Sequence, residues 1–327
     1  MNQDESILAF PAAAAAGEVL QHKVLHGTAA PVIDLQAHRR AKADDVGACV
    51  TQEQDDQLSS GDVWDAIRGG RLVVHYQPQY EMHRGKTIAA EALVRLIDAN
   101  GQLVYPDRFI DTAEQRDLII PLGRVVIERV CIDLAACRAH GLPIQRIAIN
   151  LSAHQLNADP GLLTYIDQMV ASHGLQYSDL ELELTERHGL QPQCEGRRVL
   201  NALALRGARI VIDDFGVGYS SVAYLAELPV SAFKLDRSLV ARAPEDSRAT
   251  TLIDSLLVLA KTMGLDVVAE GVESRLQSDY LVTAGCPLAQ GYGYARPMPI
   301  DALKELIANE DDSIEYASAR GMESTSR

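Results

Sequence analysis

The chain has 327 residues, of which 47% are hydrophobic, and it carries a formal net charge of -15 at pH 7. That charge argues against duplex nucleic acid as a partner, because such binding draws its affinity from clustered Lys and Arg. No segment approaches the roughly 18 uninterrupted apolar residues of a membrane-spanning helix, so we expect no membrane span.

The first residues of the chain do not resemble a secretion signal. Asp4 and Glu5 stand where a signal peptide needs basic charge, and the first lysine is Lys23. The five cysteines are odd in number and form no Cys-x-x-Cys pair, which is typical of reduced thiols. These features predict a cytoplasmic protein.

Three regions differ in composition along the chain. Residues 1–60 show weak periodicity, and we interpret them as an N-terminal extension that is largely disordered or docks on a protein partner. Residues 61–309 carry a regular alternation of strand and helix patterns and predict one folded domain. The polar residues 310–327 predict a disordered tail.

Eight apolar, strand-like segments occur within residues 61–309, separated almost everywhere by helix-length segments. This rhythm predicts an α/β fold, a (β/α)8 TIM-like barrel. An open doubly wound sheet is the alternative, but its phosphate-binding Gly-x-Gly-x-x-Gly does not follow the first strand. The predicted strands are 72–80, 87–96, 147–152, 180–186, 208–214, 232–236, 267–272 and 288–292.

The segment ARIVIDDFGVGYSS, residues 208–221, is the centre of the pattern. A β-branched run ends directly in Asp213 and Asp214. Two carboxylates held about 4 Å apart repel each other by roughly 4 kcal/mol at an effective dielectric near 20. Either water or shared cations can offset that repulsion, and the other strands bear on the choice.

Every predicted strand offers a polar side chain at or near its carboxyl end, which is where barrel enzymes carry their active sites. These residues are Gln77, Glu91 with Arg95, Asn150, Glu183 with Glu186, Asp213 with Asp214, Lys234 with Asp236, Glu270 with Glu273, and Gln290.

The set contains many carboxylates and no histidine, which favours Mg²⁺ or Mn²⁺ over zinc. Adjacent aspartates among Glu and Asn ligands are able to hold two cations for displacement at phosphorus. His75 and His154 are the nearest histidines, and we interpret both as packing or loop residues.

The motifs resemble those of the EAL-domain phosphodiesterases, bacterial enzymes that hydrolyse cyclic di-GMP to linear pGpG. The signature EALVR begins at Glu91, and the other motifs stand before and after it in the family's order. They are YQPQY (76–80), NLS (150–152), ELTE (183–186), DDFGVGYSS (213–221), KLD (234–236), AEGVE (269–273) and QGYGYARPM (290–298). The resemblance implies a barrel with one antiparallel strand, a homodimer, and two divalent metals per active site.

The resemblance also implies roles for individual residues. The implied metal ligands are Glu91, Asn150, Glu183, Asp213, Asp214 and Glu270. Lys234 and Glu270 join Glu91 as catalytic residues, with the identity of the base left open between the first two. The expected substrate contacts are Gln77, Arg95, Asp236 and Gln290, and the expected loop supports are Glu186 and Glu273.

Three positions depart from the family pattern. Val217 stands where Thr is usual, Leu96 where Trp is frequent, and AEQRD (113–117) replaces an acidic-Thr/Ser-Gly turn. No implied metal ligand departs. We therefore expect a cyclic di-GMP phosphodiesterase, with two alternatives: a non-catalytic cyclic di-GMP receptor or partner-binding module, and a barrel enzyme acting on another phosphoester.

Overall fold

The computed structural model describes residues 57–185, 194–216 and 225–310. The predicted extension up to residue 56, the tail after residue 310, and the positions Glu186 and Val217 lie outside these ranges. The strands are β1 (Leu72–Glu81), β2 (Lys86–Ile97), β3 (Leu103–Val104), β4 (Arg146–Asn150), β5 (Leu180–Thr185), β6 (Arg209–Phe215), β7 (Ala232–Leu235), β8 (Asp266–Ala269) and β9 (Leu288–Ala289).

Helices follow most strands and cover the outside of the sheet. They are α1 (Ser60–Arg68), α2 (Ile110–Gln115), α3 (Ile119–Ala139), α4 (Ala153–Ala158), α5 (Leu162–Ser172), α6 (Glu195–Arg206), α7 (Arg237–Val240), α8 (Ser247–Met263), α9 (Arg275–Ala284) and a last helix over residues 300–310. Single 3-10 turns occupy Pro106–Arg108 and Tyr177–Asp179.

The sheet closes into a barrel of eight strands. Its order is β1-β9-β8-β7-β6-β5-β4-β2-β3, and an additional β1–β2 pairing joins the two ends. Strand β1 runs antiparallel to both β2 and β9, whereas β2 and β4 to β9 pair in parallel. The predicted TIM-like barrel with one antiparallel strand is confirmed.

Strand β3 is an addition that the sequence pattern did not predict. It pairs antiparallel with the upper end of β2, through Leu96 with Val104 and Ile97 with Leu103. A strand of two residues is too short for its hydrophobic pattern to be recognised in the sequence. This short strand nevertheless fixes the start of the following segment, which begins at Tyr105.

Several predicted strand ends were wrong. The eighth predicted strand is only Leu288–Ala289, and the seventh ends at Ala269. Strand β1 runs through Pro78 to Glu81, with a register shift directly after it between Gln79 and Tyr80, which is the setting in which sheets accept proline.

The position of Glu91 and Gln77 also differs from the prediction. Both lie in the middle of long strands, directly opposite each other in the antiparallel β1–β2 pair. Strand β2 pairs with β4 only as far as Ala92, and beyond that point it continues above the barrel beside β1 and β3. Glu91 therefore lies at the mouth because its parallel partner ends there.

An ion-pair layer lies near the amino ends of the parallel strands. The Glu181 carboxylate, 1% exposed, accepts hydrogen bonds from Arg146 Nε at 2.9 Å and from Arg209 Nε at 3.0 Å. Arg209 also pairs with Asp266 at 2.6 Å. A buried charge is tolerated only when it is paired, so this layer depends on each of its members.

No helix in the described part of the chain combines the length and the apolar character needed to cross a membrane.

Replacing Glu181 with Gln tests the ion-pair layer. We expect Glu181→Gln to lower the free energy of unfolding by about 3 kcal/mol, because it leaves the buried Arg146 guanidinium without a counter-charge. Chemical denaturation measures the change. The matched control is Glu195→Gln, which breaks an exposed pair with Arg198 and is expected to cost less than about 1 kcal/mol. Equal losses in the two variants would contradict the account.

Candidate active site

The Lys234 ammonium lies at the centre of a cluster of carboxylates in the mouth of the barrel. Its Nζ is 2.6 Å from Glu270 Oε1, 2.9 Å from Glu91 Oε2, 3.0 Å from Glu183 Oε2 and 3.4 Å from Asp213 Oδ1. The lysine side chain is essentially inaccessible to solvent. Four carboxylates from four different strands or strand ends therefore converge on one cation.

Strand alternation explains why these side chains meet. Successive residues of a strand point to opposite faces, so Glu181 and Glu183 share the inner face of β5, in the lower and upper layers respectively. The register places Asn150 directly beside Glu183, and Asn150 Nδ2 donates to Glu91 Oε1 at 2.9 Å. The upper inner layer is thus continuous from β2 through β4 to β5.

The two adjacent aspartates would point to opposite faces in a regular strand. Asp214 instead adopts φ of 57°, a left-handed conformation, and the pairing of β6 with β7 is irregular between Ile212 and Phe215. Single carboxylate oxygens of Asp213, Asp214 and Glu270 consequently lie within 4.8 Å of one another. Left-handed backbone is uncommon for residues other than glycine and is often found at functional sites.

Close backbone packing positions the last predicted site residue. Gln290 Nε2 donates to Glu91 Oε2 at 2.7 Å and to Glu270 Oε1 at 2.9 Å. The loop that follows packs on the Val272 backbone so closely that a Cβ on Gly291 would lie 2.2 Å from the Val272 carbonyl oxygen. Only glycine permits this approach, which holds the loops after β8 and β9 together.

The carboxyl groups of the cluster have very different pKa values, because each one experiences a different balance of burial and neighbouring charge. Burial alone would raise the pKa of Glu91, but the Lys234 charge and hydrogen bonds from Gln290 and Asn150 outweigh it and lower that pKa to about 2. Burial, followed by the negative charge of Asp213 and Glu91, raises the pKa of Glu270 to about 8, against the opposing effect of Lys234.

The side chains of Glu183 and Lys234 are fully buried, and the pKa of each is strongly shifted. Burial and the neighbouring Glu91 charge raise the pKa of Glu183 well above its usual value. For Lys234, burial would lower the pKa, but the surrounding carboxylates, led by Asp213 and Glu183, raise it far above its usual value. Lys234 therefore remains an ammonium at neutral pH.

The donor set fits hard divalent cations. The cluster combines four carboxylates and one amide around a single ammonium, which leaves it with excess negative charge. Glu183 Oε1 is buried and has no hydrogen-bond partner among the described residues, and Asn150 uses its Nδ2 rather than its ligating oxygen toward Glu91. Asp213, Asp214 and Glu270 provide a second group of close oxygens.

Four of the predicted site residues lie outside the cluster of direct contacts. Gln77 is buried and donates from Nε2 to Ala295 O at 3.3 Å. Asp236 caps α7, with its Oδ1 accepting from the Ser238 backbone N–H at 2.7 Å. Glu273 is exposed, and its backbone N–H donates to Gln277 Oε1 at 2.9 Å. The predicted loop support Glu186 is not among the described residues.

The fourth residue away from the cluster, Arg95, has a partner that the sequence pattern did not suggest. Its Cζ lies 4.9 Å from the centroid of the Tyr105 ring, and its Nη1 donates to the Val94 carbonyl at 2.8 Å. Tyr105 was missed because it follows the unpredicted strand β3. The sequence signal for it is an aromatic residue immediately before Pro106.

The unusual AEQRD turn has a structural explanation. Asp117 takes the position of the usual glycine and adopts φ of 58°, a conformation that aspartate tolerates better than most residues. Its Oδ1 lies 2.6 Å from His154 Nε2. His154 is therefore a loop residue with a specific partner rather than a member of the carboxylate cluster.

A cavity of about 380 Å³ opens beside the cluster. Glu91 and Asn150 form one wall, and mostly apolar side chains, including Leu93, Ile110 and Leu151, line the rest. Small-molecule sites are typically apolar cavities with a few placed polar groups. The cavity therefore offers space for an apolar ring next to the charged centre.

The comparisons with known proteins agree with this geometry. The family model described as the EAL domain matches residues 61–297. The bifunctional diguanylate cyclase/cyclic di-GMP phosphodiesterase MucR of Pseudomonas aeruginosa is 35% identical over 247 residues, 76% of this chain and 36% of MucR. The cyclic di-GMP phosphodiesterase PdeR of Escherichia coli is 36% identical over 239 residues, 73% of this chain and 36% of PdeR. The chain thus spans about a third of the length of these relatives.

Solved structures of single domains match more completely. The PaMucR phosphodiesterase in complex with c-di-GMP is 35% identical with a TM-score of 0.69, covering 74% of this chain and 98% of its own. The EAL domain of Mycobacterium smegmatis DcpA is 32% identical with a TM-score of 0.62, covering 74% of this chain and 98% of its own. From the barrel, the converging carboxylates and these matches, we conclude that the chain belongs to the EAL domain family.

Proposed function

We propose that this protein is a cyclic di-GMP-specific phosphodiesterase that hydrolyses cyclic di-GMP to linear pGpG with two divalent cations, Mg²⁺ or Mn²⁺. The observation that carries the proposal is the convergence of Glu91, Glu183, Asp213 and Glu270 on one buried point. Carboxylates are expensive to bury together, and a fold retains such a cluster where cations are to be held.

The choice of substrate is supported by the relatives. MucR and PdeR are named as acting on cyclic di-GMP, and PaMucR forms a complex with that molecule. The cavity beside Glu91 has the apolar lining that a guanine base requires.

The residues that would hold the cations are Glu91, Asn150, Glu183, Asp213, Asp214 and Glu270. When bound, such cations supply Lewis acidity, which activates water and stabilises the charge that develops at the phosphate. Gln290 orients Glu91 and Glu270 through its two donated hydrogen bonds. Arg95 provides positive charge for the phosphate, and Gln77 borders the site opposite Glu91.

Lys234 and Glu270 divide the proton chemistry. The carboxylates around Lys234 keep it protonated, so it orients the reacting groups and does not accept a proton. Glu270 lies 2.6 Å from Lys234 and is a carboxylate once a cation is bound, so of these two groups it is the one able to accept a proton. We assign the role of proton acceptor to Glu270.

The partners and location are proposals as well. The family resemblance supports a homodimer, and residues 1–60 are the candidate region for a protein partner. Cys131, Cys137, Cys194 and Cys286 are free in the described part of the chain, which supports a reducing, cytoplasmic setting.

A non-catalytic cyclic di-GMP receptor or partner-binding module is the second candidate. Asp236 favours it to a degree, because its carboxylate caps α7 rather than facing the cluster. Binding of cyclic di-GMP with metal present, without any product, would support this candidate over the first. A panel of other phosphodiesters separates the remaining possibility, an enzyme with a different substrate.

The direct test is hydrolysis by the purified full chain. With Mg²⁺ or Mn²⁺ we expect conversion of cyclic di-GMP to pGpG, and we expect Glu91→Ala and Glu91→Gln to lower turnover by at least about 100-fold, because the reacting groups lose their alignment. Chromatography of the nucleotides measures the product. Glu195→Gln is the control with unchanged turnover. Wild-type protein as inactive as the Glu91 variants would refute the proposal.

Cation binding is measurable without substrate. At a metal concentration of 100 times Kd, ligand linkage predicts about 2.7 kcal/mol of stabilisation, which corresponds to a rise in Tm of about 5 to 10 °C for a domain of this size. Thermal unfolding with and without chelator gives the shift. We expect Asp213→Asn to abolish it and the exposed Asp279→Asn to preserve it, and a shift retained in Asp213→Asn would contradict the assigned ligands.

Metal binding is also expected to release protons at pH 7. Glu270, with its raised pKa of about 8, is mainly protonated in the metal-free protein and must ionise to ligate a cation. Metal affinity should therefore increase as the pH rises toward 8. Calorimetry in buffers of different ionisation enthalpy counts the protons, and Glu270→Gln should release about one fewer. An unchanged count would be inconsistent with this role of Glu270.

A further inference from the structure

An arginine and a tyrosine form a preassembled flat surface on the wall of the mouth. The Arg95 guanidinium covers one face of the Tyr105 ring at 4.9 Å. The arginine is only 6% exposed, whereas Tyr105 is 55% exposed. The other face of the ring is thus available to a ligand, while the first face is occupied by a buried cation.

The pair stands on the same strand as the catalytic cluster. Arg95 follows Glu91 by four residues in β2, so the two side chains share the inner face of that strand. The spacing is about 13 Å along the strand, which is comparable to the length of a nucleotide. A ligand with a phosphate at the cluster therefore reaches Tyr105 with another part of the same molecule.

A second pair of the same chemistry follows β9, which is separated from β2 by β1 alone. Arg296 Cζ is 4.3 Å from the Tyr292 ring centroid, and Tyr292 belongs to the loop after β9, two residues beyond Gln290. The chain as a whole has a net charge of -15. Two arginine–tyrosine pairs near the carboxylate cluster favour a ligand that combines negative charge with flat rings.

We propose that the outer face of Tyr105 stacks on a purine base of the substrate, while Arg95 beneath it presents positive charge to the phosphate. This inference rests on the proposed function and names a specificity residue for it. A substrate with two guanines places one base in the cavity beside Glu91, which leaves the second base for the Tyr105 surface.

Stacking rather than hydrogen bonding is the interaction the geometry favours. Base–aromatic stacking needs only a flat exposed ring, and by alanine substitution it changes affinity by about 5- to 150-fold per base. The cation on the far face of the ring adds to the rigidity of the platform, because the Nη1 bond to Val94 holds the guanidinium in place.

The first experiment separates binding from chemistry. We expect Tyr105→Ala to raise KM for cyclic di-GMP about 10-fold with kcat within twofold of wild type, because the ring is remote from the reacting atoms. Tyr105→Phe keeps the ring and should retain the wild-type KM. The control Leu103→Ala changes the same short strand without touching the stack, and circular dichroism monitors folding of each variant.

The second experiment detects the stack itself. A cyclic dinucleotide with 2-aminopurine in place of both guanines is titrated to saturation onto chelator-treated full chain. Stacking on tyrosine quenches the 2-aminopurine fluorescence, so the bound-state signal should be low with wild type and Tyr105→Phe. It should be higher with Tyr105→Ala and with Tyr105→Leu, which preserves apolar cover for Arg95 but has no ring.

The outcomes distinguish this inference from the proposed function. If wild type hydrolyses cyclic di-GMP and Tyr105→Ala leaves KM and the bound-state fluorescence unchanged, Tyr105 is not a stacking residue and the proposed function stands. If wild type binds the analogue with quenching that depends on Tyr105 but yields no product, the stacking role stands and the enzymatic proposal fails. If wild type neither hydrolyses nor binds, both are overturned.

Discussion

The buried ion cluster around Lys234 is the interaction on which the rest of the structure depends. One ammonium faces four carboxylates at 2.6 to 3.4 Å in the mouth of the barrel. The raised pKa values of Glu183 and Glu270 show that not all four carboxyls are charged together at neutral pH, and enclosing so many ionisable groups at one point costs stability. The buried apolar residues of the surrounding strands offset this loss of stability. The same carboxyls become ligands when a cation displaces their protons, so the feature that weakens the fold is the one that serves the proposed chemistry.

The backbone contributes to the site as much as the side chains. A left-handed residue in β6 brings the second aspartate to the same side as the first, and a glycine packed on the Val272 carbonyl joins the last two strand loops. Both devices depart from regular strand geometry next to the reacting centre. The left-handed backbone of Asp214 is tolerable because β6 is paired with β5 from Arg209 to Asp213 directly before it.

The mouth has two chemically different sides. Around Lys234 the groups are acidic and enclosed. After β3 and after β9 the groups are aromatic and cationic, with Tyr105 and Tyr292 exposed. Membership of the EAL domain family accounts for the first side. The second side depends on residues of this particular chain, since Tyr105 follows a strand of two residues that only the three-dimensional structure reveals.

The amino-acid sequence determined the fold class and the composition of the site. Apolar segments alternating with helices dictate a barrel of mostly parallel strands, and polar residues near the carboxyl ends of those segments converge at its mouth. Tertiary structure decided the rest. Gln77 and Glu91 lie in the middle of their strands because the neighbouring strands end at different heights. Asp236 caps a helix because its carboxylate accepts a local hydrogen bond from Ser238. Sequence periodicity reports which face a residue occupies, but not where its neighbouring strand stops, because that depends on contacts between segments far apart in the chain.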